Sequence, residues 1–192
     1  MNFEKNGSRW MHSMDGNPRG QLNVFVAYED FPTGNHALRM FERLFPGSGE
    51  SSHFSAKNVW KFDLLQIAKF RDMAAAEAAS ADMIILSTHG IGGLPPAIKR
   101  WMELWVQKRQ GVAGALVVLL DSTRAQRGVS GLHTEAYLEA CAFRAGMDFF
   151  MEGVGTLSAS HGNNRDAGNE ENTRAPAFGK ILPLFQRRNL GN

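Results

Sequence analysis

Residues 81–105, ADMIILSTHGIGGLPPAIKRWMELW, decide how this chain folds. Met83 to Leu86 form an unbroken apolar run, the mark of a central strand covered on both faces. The run stops at Ser87 and gives way to a loop holding Gly90, Gly92 and Gly93. Pro95 and Pro96 then open a helix, since first-turn N–H groups have no intrahelical partner for a proline to forfeit. Ile98, Trp101, Met102 and Trp105 follow at i, i+3, i+4, i+7, an apolar stripe that needs a surface to cover. A buried strand, a bare loop and an amphipathic helix make one unit of an α/β fold.

The same alternation extends both ways. QLNVFVAYED reads as a first strand, and TGNHALRMFERLF as a helix with Ala37, Phe41, Leu44 and Phe45 on one face. FSAKNVWKFD reads as a second strand, with Phe54 only loosely part of it, and the alanine-rich LLQIAKFRDMAAAEAAS as one helix. After the central unit come GALVVLLDS as a strand and LHTEAYLEACAFRAG as a helix. That helix carries Leu138, Cys141, Ala142 and Ala145 on one face and ends at Gly146. MDFFMEGV closes the series as a fifth strand. Five strands alternating with four helices predict a three-layer α/β/α sandwich around a five-stranded parallel sheet. Three segments follow from this: a mobile polar tail over 1–20, a folded domain over 21–157, and a polar extension over 158–192. The extension contains one short apolar stretch, 178–185.

Composition narrows the function classes. A formal charge of +2 in 192 residues, with both signs interspersed, argues against nucleic acid or a membrane surface as partner. The single cysteine excludes an intrachain disulfide and a cysteine-based zinc site, and no metal site is expected. Flanked by Ala140 and Ala142, Cys141 reads as a buried, inert thiol. No apolar run reaches the ~18 residues of a membrane span. The N-terminus lacks the apolar segment of a secretory signal, so a cytoplasmic location is expected.

In parallel α/β sheets, ligands sit beyond the carboxyl ends of the strands, where the strand order reverses. That rule selects three loops. The first, YEDFPTGNHA, holds Thr33, Gly34, Asn35 and His36, donors that suit an anion at a helix start. Thr33 as a plain helix cap and Gly34 as a turn residue explain it equally. The second, STHGIGGLPP, offers Ser87, Thr88, His89, Gly90, Ile91 and Gly92, with backbone bare enough for a planar ring to lie against. There His89 is a hydrogen-bond donor, a base, or an ordinary loop histidine. The third, DSTRAQRGVSG, offers Ser122, Thr123 and Arg124, with Arg124 and Arg127 either ligand contacts or solvated surface charges.

STHGIGGLPPAIKRWMELW and LLDSTRAQRGVSGLHTEAYLEACAFRAGM resemble the NADPH-dependent FMN reductase branch of the flavodoxin-like superfamily, over about residues 21–155. The resemblance implies strand order 2-1-3-4-5 and an FMN that passes hydride from NAD(P)H to a flavin, quinone or similar small acceptor. It places the phosphate at Thr33, Gly34 and Asn35. The ring lies between Thr88, His89, Gly90 and Gly92 on one side and Ser122 and Thr123 on the other. It also implies a homodimer, with Trp105 as a candidate contact and Trp101 in the core.

Several residues depart from that pattern. His36 stands where flavodoxins carry a hydroxyl. Glu29 and Asp30 precede the T-G-N, and each would repel a phosphate at ~6 Å by roughly 2–3 kcal/mol at an effective dielectric of ~20. Receiver domains share the strand order and end their first strand in an acidic pair. However, Ser87 stands in place of their phosphoacceptor aspartate, and Glu152 or Gly153 in place of their lysine. The competing expectation is therefore a non-catalytic binding or regulatory module without bound flavin. A hydrolase is disfavoured, since Ser87 lacks a G-x-S-x-G context.

Overall fold

A computed structural model describes residues 22–44, 54–109, 111, 113–122, 124–153 and 156–160. The expected tail over 1–20 and the apolar stretch 178–185 lie outside the described residues. The strands are β1 (Leu22–Tyr28), β2 (Phe54–Lys61), β3 (Met83–Thr88), β4 (Gly114–Leu120), β5 (Met147–Gly153) and β6 (Thr156–Ser160). The helices are α1 (Phe31–Leu44), α2 (Phe62–Leu65), α3 (Ala68–Ser80), α4 (Pro96–Lys108) and α5 (Arg124–Arg144).

Five parallel strands run in the order 2-1-3-4-5, as expected. A sixth strand, β6, pairs antiparallel with β5, so part of the supposed polar extension belongs to the sheet. Three other boundaries move. Phe54 is the first residue of β2. The alanine-rich stretch divides into a single turn, α2, and the longer α3. Most of the third loop is helical: α5 starts at Arg124 and bends at Gly128 (φ 55°, ψ −153°), a conformation close to glycine's alone.

Strand residues alternate between two cores. On one face Phe25, Ile84, Leu86, Leu116 and Val118 are buried beneath α2, α3, α4 and α5. Ala74, Ala75 and Ala78 let α3 approach the sheet closely. On the other face Val24, Val26, Met83, Ile85 and Val117 pack with Ala37, Met40 and Phe41 of α1. Trp101 stacks on Phe25, with ring centroids 5.4 Å apart and 21° between planes. The expectation that Trp105 makes a dimer contact fails: it is fully buried, 6.3 Å from Trp101, with its Nε1–H directed at the Met102 sulfur 3.3 Å away. An indole at i+4 from a buried Trp101 shares its face, so the stripe carries both inward. Leu138, Cys141, Ala142 and Ala145 are buried as read, and burial pushes the Cys141 thiol above its ordinary pKa. No helix among the described residues is long and apolar enough to cross a membrane.

Strand register sets up the candidate site. Tyr28 lies opposite Ser87, and Thr88 opposite Leu120. The residues that follow, Glu29 and Asp30, His89, and Asp121 and Ser122, therefore leave the sheet at one level. They do so where the chain's order reverses around β1.

Candidate functional site

His89 occupies the centre of this sheet end. Its Nε2 lies 2.8 Å from Asp30 Oδ2, and its Nδ1 lies 3.5 Å from Asp121 Oδ2. An ionised carboxylate only accepts, so Nε2 carries a proton toward Asp30. The histidine's backbone is fixed as well. Its N–H donates to Glu29 Oε2 at 2.9 Å, and its carbonyl accepts from the Ser122 hydroxyl. Thr88 donates to the same Glu29 oxygen at 2.5 Å and accepts from the Gly90 N–H at 3.2 Å. The hydrogen bond from His89 holds Asp30 below the usual carboxylate range. The same bond raises the imidazole above its ordinary value, with desolvation opposing. All three side chains, His89, Asp30 and Asp121, remain partly open to solvent.

The first loop is different from the phosphate cradle that the resemblance implies. Helix α1 starts at Phe31, two residues before Thr33, which makes Asp30 its N-cap. The Thr33 N–H donates to Asp30 Oδ1 at 3.1 Å, and the Asp30 N–H donates to Thr33 Oγ1 at 2.8 Å. This is a reciprocal capping box. The Gly34 N–H donates to the Asp30 carbonyl at 2.8 Å, and Pro32 has no N–H to give. Of the first four amides of α1, only that of Phe31 is outside this arrangement. Gly34 meets a close approach instead: a Cβ there would sit 2.9 Å from the Tyr28 ring. Asn35 lines an apolar groove of about 270 Å³ between α1 and β2, together with Val26, Tyr28, Phe31, Phe41 and Val59. His36 keeps its Nδ1 buried without a hydrogen-bond partner. With the donors engaged and a carboxylate in their midst, the residues at this helix start do not fit a phosphate.

The second and third loops divide between residues engaged within the protein and residues left open. Ser87 is fully buried and donates to the Thr33 carbonyl at 2.8 Å, tying β3 to α1 rather than facing a ligand. Gly90, Gly92 and Gly93 all have positive φ, 70°, 74° and 89°. At Gly92 a Cβ would meet nothing within 4 Å, so backbone conformation explains that glycine and the surface above it is open. Ile91 is exposed beside it. Ser122 is buried on the His89 carbonyl. Thr123, and the side chains of Arg124 and Arg127, lie outside the described residues. Among the described residues no three His, Cys, Asp or Glu side chains are grouped to hold a metal ion.

Asp121 is the residue that sequence reasoning passed over, and Asp30 the one it saw as unwanted charge or as half of a receiver-like acidic pair. Their meeting with His89 joins positions 59 and 32 apart, which no local spacing reveals. The one local signal was D-x-x-T at 30–33, a cap read in reverse order. In comparisons with known proteins, no family model, curated protein or solved structure matches the chain.

Proposed function

We propose that this chain is a non-catalytic binding or regulatory module on a flavodoxin-like fold, working without bound FMN. One observation carries the reading: the Asp30–Thr33 capping box takes up the donors at the start of α1. Helix N-termini bind anions through free N–H groups and the positive end of the dipole. Here the anion is the protein's own carboxylate. Among the described residues, Glu29, Asp30 and Asp121 gather around the imidazole of His89 at the strand ends, an excess of carboxylates that disfavours a phosphate-bearing cofactor. The ligand this site favours is a small molecule that lacks phosphate and offers N–H donors or positive charge to half-exposed carboxylates.

A visible spectrum and an FMN titration test this. The purified protein is expected to be colourless and to leave FMN fluorescence unquenched at micromolar protein. A yellow preparation, or stoichiometric quenching, would sink the proposal.

A second reading draws on the open surface over Gly92: a NAD(P)H-dependent flavin or quinone reductase that holds a ring at residues 88–92. Riboflavin, which has the ring and no phosphate, separates the two halves of that reading. Binding of riboflavin, with NADH or NADPH oxidation stimulated by a quinone, would favour it over the module.

A further inference from the structure

His89 is the point where three strand ends meet, and the two carboxylates on its ring come from opposite sides. Asp30 and Glu29 reach it from the junction of β1 and α1, and Asp121 from the end of β4. Lys61, at the end of β2, pairs with Asp63 at 2.5 Å and touches the cluster only through its field at Asp30. On α4 and α5, no described side chain brings a further charge to the imidazole. Among the described residues the facing groups are therefore three acids and one ring, with Lys61 farther off.

The two ring contacts are unequal. Nε2 to Asp30 is a hydrogen bond of 2.8 Å, while Nδ1 to Asp121 is an ion-pair separation of 3.5 Å. An imidazolium donates from both nitrogens and satisfies both carboxylates. A neutral imidazole has one N–H. Kept on Nε2 for the closer partner, it leaves the Nδ1 lone pair turned toward the Asp121 oxygen. That arrangement sets two electron-rich atoms against each other and removes the imidazolium charge from among three carboxylates.

We propose that His89 is a proton-operated tie: protonated, it holds the loops after β1 and β4 together across the end of β3, and on losing its proton it releases the Asp121 side. The release is one-sided. Asp30 stays fixed by Thr33 and by the remaining N–H, and the Ser122 hydroxyl still holds the His89 carbonyl. What loosens is the Asp121 carboxylate. The hydrogen bond to Asp30 raises the imidazole, so the change falls above the ordinary histidine value of about 6.5, as pH rises. The tie stands on these distances and is independent of whether a flavin binds.

Nuclear magnetic resonance on the full chain tests it, with pH taken from 5 to 9. The His89 ring resonance is expected to titrate above the ordinary value. The backbone amides of Asp121 and Ser122 should shift with the same midpoint, and the amide of Asp30 less. Asp121→Asn should lower the proton affinity of His89 roughly two- to fivefold, the scale of a half-exposed ion pair. It should also abolish the coupled shift at Ser122. Asp30→Asn should lower that affinity by about tenfold or more, the scale of a direct opposite-charge partner. A His89 midpoint at or below the ordinary value overturns the proposal. So do Asp121 and Ser122 amides that ignore the His89 titration, or an unchanged midpoint in Asp121→Asn. If Asp30→Asn fails to fold, Asp121→Asn decides alone.

Discussion

The two ends of the sheet each hold a basic side chain, and they hold it in opposite ways. At the amino end Arg109 is buried, donating to the carbonyls of Ala81 at 2.8 Å and Ala79 at 3.3 Å. Beside it Asp82 accepts from the Asn23 N–H at 3.0 Å. At the carboxyl end His89 is half-buried and faces carboxylates that water also reaches. A guanidinium never gives up its proton, so it suits a permanent joint. An imidazole changes charge near neutrality. The contrast separates a joint from an adjustable contact, and it is open to test at both ends.

The largest effect is expected at the amino end. Gly114 opens β4 where a Cβ would lie 2.5 Å from Arg109 Nη2 and 2.6 Å from the Asp82 carbonyl oxygen. Gly114→Ala should cost about 2–3 kcal/mol through overpacking, read as a lowered urea midpoint. Arg109→Met removes the donors of two carbonyls and should cost about 2 kcal/mol. For both variants the loss should vary little between pH 5 and 9, because a guanidinium keeps its proton throughout that range. A loss that varied with pH would blur the distinction between the two ends.

Smaller, pH-dependent effects are expected at the carboxyl end. Asp30→Ala takes away the α1 cap and should cost about 1–2 kcal/mol in denaturant unfolding. Smallest is His89→Gln, at roughly 1 kcal/mol or less, because the pair it breaks is solvent-screened. Its sign follows from linkage. The folded-state pKa of His89 is raised, so its contribution is full below about 6.5 and fades as pH climbs through the folded value. Asp30 is lowered, so its contribution is full above about 3.9 and fades as pH falls through its own folded value. The stability gap between wild type and His89→Gln should therefore be widest in mildly acidic solution and close on the alkaline side. A gap constant from pH 5 to 9 would remove the difference between the two ends.

The five parallel strands were legible because five apolar runs alternate with helices, and a parallel sheet buries both faces of its strands; their order came from the resemblance. β6 was not legible. TLSAS lacks an apolar run, and an antiparallel edge strand is held by backbone hydrogen bonds that almost any side chain permits. The amphipathic stripe through Ile98, Trp101, Met102 and Trp105 was readable, and it already placed Trp105 inside, against the dimer contact that the resemblance suggested. At the candidate site, residue types were visible but partnerships were not. T-G-N looked like a donor set because its competitor, Asp30, was seen as a charge near a phosphate and not as a cap for the helix itself. His89 stood out by its glycine neighbours, while Asp121 was one more acid at the end of a strand until the register brought it level.

The cap on α1 has a consequence for any attempt to give this fold a nucleotide. Asp30 is tethered a few ångströms from the amide it binds, so its effective concentration there is that of an intramolecular ligand, millimolar or above. A free phosphate must compete with an occupant that never diffuses away. Loading this helix with a cofactor would be a displacement reaction, and the residue to evict belongs to the chain.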